Sequence, residues 1–130
     1  MDINQLQHEI QRWLRTLEFI KEENLLLKNR LSEMIHLKTE KRLIHQAEDF
    51  QNFFLNNDTI IAMLKNDVHK QERLLTKDIF YDEAAAKKVM KSQQILRGDM
   101  DKLEKNFSNF NMDFNTYLDD VSGELRTANK

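Results

Sequence analysis

Apolar residues recur through the first quarter of the chain at alternating spacings of three and four: Ile3, Leu6, Ile10, Trp13, Leu17, Ile20, Leu27, Leu31 and Met34, with Asn24 occupying one place in the series. This is a heptad seam, in which Ile3, Ile10, Leu17, Asn24 and Leu31 take the a positions and Leu6, Trp13, Ile20, Leu27 and Met34 the d positions. Continued further, the series reaches Lys38 and Lys41, so the seam stops near residue 37. A second seam runs Leu43, Ala47, Phe50, Phe54, Asn57, Ile61, Leu64, Val68, Gln71 and Leu75, with Ile79 and Phe80 closing its apolar content. A third runs Val89, Gln93, Leu96, Met100, Leu103, Phe107, Phe110, Phe114, Tyr117 and Val121, and Gly123 stands where a glycine stop would end it.

Residues suited to helix caps stand in the breaks, with Thr39 ahead of the second seam and Asp82 ahead of the third. The spacing predicts helices at about 2–37, 40–80 and 83–123 in a single domain covering 1–130. At 1.5 Å per residue each would span about 50 to 60 Å, a length usual for coiled coils. The expected fold is all-α, an elongated antiparallel up-down-up three-helix coiled-coil bundle.

Antiparallel pairing sets an a residue against a d residue, so one register decides every partner. Placing Leu17 beside Leu64 also brings Leu27 to Phe54 and Leu31 to Phe50, with the turn between Glu40 and Lys41. Placing Phe54 beside Phe110 brings Phe50 to Phe114 and Val68 to Leu96, with the turn at Asp82. Both turns then fall in the seam breaks. The same registers collect the four polar interruptions into two layers, Asn24 with Asn57 near Phe107, and Gln71 with Gln93 beside Ile10. Buried amides must find partners, and polar core positions are a known device for setting register and strand number. Asn24, Asn57, Gln71 and Gln93 are therefore the expected register-setting residues. The segment 55–59, Leu-Asn-Asn-Asp-Thr, has poor helix propensity and a ready cap in Asp58. A break at 56–59 would give a four-helix bundle, the alternative architecture.

Composition narrows the class. No Pro and only two Gly in 130 residues leave few places for a chain to turn, which favours a small number of long helices. Twenty Lys+Arg against 22 Asp+Glu remove the electrostatic case for nucleic acid, and the lack of Cys removes disulfides, thiol catalysis and Cys-ligated zinc. No stretch approaches eighteen apolar residues, and the chain opens Met1-Asp2-Ile3-Asn4 with neither a cationic region nor an apolar run. A cytoplasmic protein with no membrane partner is expected.

The segment Glu22 to Leu31, with Asn24 at a, resembles the zipper of bZIP transcription factors. A bZIP protein carries a cluster of basic residues just N-terminal to its zipper. Here only Arg12, Arg15 and Lys21 precede the Asn, so the likeness ends at coiled-coil physics. As a whole, the architecture resembles spectrin-type three-helix repeats.

Catalytic patterns are absent from the sequence: no Gly-rich phosphate loop, no nucleophile elbow, and no Ser with a neighbouring base. The chain is read as no enzyme and as needing no cofactor. Glu33-Met34-Ile35-His36 has the Glu-x-x-His spacing of metal sites in helical bundles. However, His8, His36 and His45 fall at f and His69 at b, all outward, and no Asp or Glu holds an a or d position. Arg97-Gly98-Asp99 spells an adhesion tripeptide but lies inside a heptad run, with Gly98 outward.

More informative are apolar residues off the seams. Phe19 and Leu26 share the c position one heptad apart, and Leu25 lies at b, away from both expected neighbours. A contiguous exposed patch there would mark a docking surface. The expected function is a non-enzymatic interaction or scaffolding module that forms a homo-oligomer or takes a partner helix. The competing class is a ligand- or metal-binding bundle using His and carboxylate side chains.

Overall fold

The computed structural model describes residues 2–35 and 41–128. It contains three long helices, α1 (Ile3–Ile35), α2 (Lys41–Leu74) and α3 (Glu83–Ala128), with a single 3-10 turn, Ile79–Tyr81, between the last two. Cross-helix hydrogen bonds give the directions. Gln11 of α1 bonds Glu72 and Asn24 bonds Asp58, so α1 and α2 are antiparallel; Gln71 bonds Gln93 and Tyr117 bonds Leu43, so α2 and α3 are antiparallel; α1 and α3, each antiparallel to α2, run parallel to one another. The fold is an up-down-up three-helix bundle.

The heptad seams become the core. Leu6 to Leu31 on α1, Leu43 to Gln71 on α2, Leu75 just beyond its end and Val89 to Val121 on α3 are buried at the seam positions, with Ile3, Met34 and Phe50 half-buried. Phenylalanine thickens one end. Phe54 and Phe114 are fully buried, Phe54 meets Phe110 edge-on at 4.9 Å, and Phe53 stacks flat on Phe110 at 3.6 Å. Burying each such ring stabilises the fold by about 1.5–3 kcal/mol, and the edge-on geometry adds to that. Tyr117 also lies in this cluster and donates its hydroxyl to the Leu43 carbonyl at 3.2 Å; burial pushes its pKa up.

Helix starts follow local chemistry. Asp2 Oδ1 accepts the Gln5 amide at 2.9 Å while Gln5 Oε1 accepts the Asp2 amide at 3.0 Å, a reciprocal capping box. At α3, Asp82 Oδ1 accepts the amides of Ala84 and Ala85, the expected cap. The expected Thr39 cap lies outside the described residues.

One alternative falls and two expectations about helix ends are corrected. No break occurs at 56–59, so the four-helix alternative falls. Asp58 does not cap a new helix, because its carboxylate is held by Asn24 and Lys28 of α1, and the Thr59 hydroxyl donates to the Leu55 carbonyl within the helix. Tertiary partners thus take up the polar groups that would otherwise compete with helix. First, α2 ends at Leu74 instead of near residue 80. Beyond Leu75 the heptad would place Asp78 and Asp82 in the core, so the chain turns, buries Leu75, and gives its carbonyl to the Gln7 side chain at 3.2 Å. Second, α3 continues past Gly123 to Ala128. Gly123 does not take the positive φ that a glycine stop requires, and the Glu-Leu-Arg-Thr-Ala that follows favours helix on balance.

Candidate interaction surface and polar layers

Two polar layers tie the helices together. In the first, Asn57 Nδ2 donates to Asn24 Oδ1 at 3.2 Å, and Asn24 Nδ2 donates to the Phe54 carbonyl at 3.2 Å and to Asp58 Oδ1 at 2.7 Å. Lys28 Nζ completes the layer on Asp58 Oδ2 at 2.6 Å. In the second, Gln71 Nε2 donates to Gln93 Oε1 and to the Val89 carbonyl, each at 2.9 Å. Gln93 Nε2 then donates to Glu9 Oε1 at 3.0 Å and to the Leu6 carbonyl at 3.3 Å, so this layer spans all three helices.

Glu9 anchors that second layer. Its side chain is 9% exposed and receives Arg97 through Nε at 2.8 Å and Nη2 at 2.7 Å. Burial pushes the Glu9 carboxyl up. The Arg97 hydrogen bonds and charge, with Gln93 and Arg12, outweigh that push and hold the pKa below the usual carboxylate value. Arg97 is held above its usual value by the same hydrogen bonds, against the desolvation that lowers it. Sequence reasoning named the four amides but missed Glu9, Arg97, Lys28 and Asp58. The available signal was their place at e and g positions beside the amide layers, with opposite charges facing across a seam.

Each histidine among the described residues lies off the core. The exposed His8 sits 2.7 Å from the Asn4 carbonyl, His45 3.8 Å from Glu48, and His69 3.3 Å from Glu72. His36, half of the Glu-x-x-His pair, is outside the described residues. Among those described, no three His, Asp or Glu side chains come together as a metal cluster would need.

The expected docking residues are all solvent-facing: Phe19 is 59% exposed, Leu25 53% and Leu26 57%. They do not form one patch. At 100° per residue, Leu26 lies about 20° around α1 from Phe19, whereas Leu25 lies about 120° away. Phe19 accordingly opens on the groove between α1 and α3, and Leu25 on the groove between α1 and α2, beside Lys28 and Asp58. The three inter-helix seams also differ. α1 and α2 pack most closely, while α1 and α3 touch least. Glu9 and Arg97 clasp α1 to α3 at one level, and beyond them the seam opens into a groove of about 530 Å³ floored by Ile20 and Phe107.

No described helix is long and apolar enough to cross a membrane. No protein-family profile matches the chain, and neither does a curated protein or a solved structure.

Proposed function

We propose that this chain is a non-enzymatic helical interaction or scaffolding module that associates with a copy of itself, in a cytoplasmic setting. Its three heptad seams make a stiff coiled-coil rod, and its docking face is the α1 stripe that carries Phe19 and Leu26. The observation that carries this reading is the pair of large apolar side chains, each more than half exposed, on a helix whose own core stripe is already fully occupied. Phe19 and Leu26 add nothing to the core, and covering them would remove apolar surface from water at about 25 cal/mol per Å². A chain without Cys gains nothing from an oxidising compartment, in keeping with that setting.

Light scattering on the wild type and on Phe19→Glu/Leu26→Glu tests the reading. A wild-type mass above that of one chain, reduced to one chain in the double variant, is expected. Identical monomeric masses for both proteins would remove the self-association claim.

A further inference from the structure

The α1–α3 groove has a charge order that selects its occupant. On its α1 wall Arg12 and Arg15 lie toward one end, Phe19 at the centre, and Glu23 toward the other. Among the described residues, neither Arg15 nor Glu23 forms an ion pair within the chain. We propose that the groove is filled by α1 of a second copy, running antiparallel about a two-fold axis at Phe19. This rests on the self-association reading and specifies its geometry.

Under that axis Phe19 meets Phe19 of the other copy over the floor of Ile20 and Phe107. Arg15 then faces Glu23 of the other copy, twice, because the two residues are equally distant from Phe19 along the helix. Arg12 falls against Leu26 of the other copy, so its aliphatic stem covers the second exposed apolar side chain. A parallel pairing at the same level would set Arg15 against Arg15 and Glu23 against Glu23. Charge complementarity therefore decides the direction, and the two-fold makes the surface self-complementary. The stretch from Arg12 to Leu26 is about 22 Å long, a short contact of the kind found in weak or transient complexes, so concentrations from about micromolar upward suit its test.

Sedimentation equilibrium across that concentration range on four proteins tests the pairing: wild type, Arg15→Glu, Glu23→Arg, and the double variant carrying both changes. Each single reversal is expected to weaken the dimer by about tenfold or more, since two like-charge contacts replace two ion pairs. The double variant is expected to regain wild-type affinity. Residues 15 and 23 stand about 12 Å apart on one helix, so the restoration must come from another copy. Arg15→Gln, a milder change, should weaken the dimer in the same direction but less, and circular dichroism confirms that every variant keeps its helix content. A dimer indifferent to both reversals, or weakened by each without recovery in the double variant, overturns this pairing and leaves self-association standing. A wild type that stays monomeric overturns both.

Discussion

Asn57 donates its side-chain amide to the oxygen of Asn24 at 3.2 Å within the core, where Asn24 is 0% and Asn57 4% exposed. The bond joins an a position of α1 to a d position of α2. It can form only in the register that also sets Leu27 beside Phe54. A slip of one heptad would leave each amide among apolar side chains, at about 1–3 kcal/mol per unpaired group. The pair is thus worth more as a penalty on wrong registers than as a stabiliser of the right one.

Replacing one member and replacing both should have opposite signs. Asn57→Leu alone deprives the Asn24 oxygen of its donor and is expected to lower stability by about 1–3 kcal/mol. Asn24→Leu/Asn57→Leu is expected to raise the thermal midpoint while broadening the transition, as alternative registers gain population. Thermal melts followed by circular dichroism measure both effects, and an unchanged midpoint in the double variant would argue against the cost of burying these amides.

The Glu9 clasp predicts a pH dependence. Its folded-state pKa is depressed relative to the ordinary 4.5, so its contribution is fully present above that value and is lost as pH falls through the folded pKa. Urea midpoints measured from neutral pH downward should therefore fall in the acid range below about pH 4.5, and Glu9→Gln should flatten part of that fall. At neutral pH, Glu9→Ala is expected to cost about 1.5–3 kcal/mol, because it strips a charged partner from Arg97 and an acceptor from Gln93.

Gly98 offers a gain. It lies inside α3 with no positive φ, and a Cβ built there meets nothing within 4 Å. Gly98→Ala is expected to stabilise the bundle by about 0.5–1 kcal/mol through helix propensity and reduced freedom of the unfolded chain. A calorimetric midpoint equal to or below wild type would show that the outward face at Gly98 has a constraint of its own.

Much of the fold is legible in the spacing of apolar residues, because a 3.5-residue repeat commits one stripe of each helix to the interior whatever lies around it. Val89 to Val121 illustrates this: every seam position between and including those two residues of α3 is buried. The candidate surface is less legible. Phe19, Leu25 and Leu26 are recognisable as off-seam residues, yet their division between two grooves depends on where α2 and α3 sit around α1. Glu9 and Arg97 were equally open to reading as ordinary surface charges, since their meeting requires α1 and α3 to run parallel at one particular stagger.

The sequence by itself determined the number of long helices, the stripe that each buries, the Asp82 cap and the pairing of amides within the core. These depend on helical periodicity and on short-range hydrogen bonding, which the chain carries wherever it is placed. The break at 56–59 that the sequence left as an alternative was closed by tertiary structure, which gives Asn57 and Asp58 their partners in Asn24 and Lys28. Tertiary structure likewise decided the turn after Leu74, where Gln7 of α1 takes the freed Leu75 carbonyl, and the unequal closure of the three seams that leaves Phe19 beside an open groove. At each of these places local propensity was nearly balanced, and a partner distant in sequence tipped it.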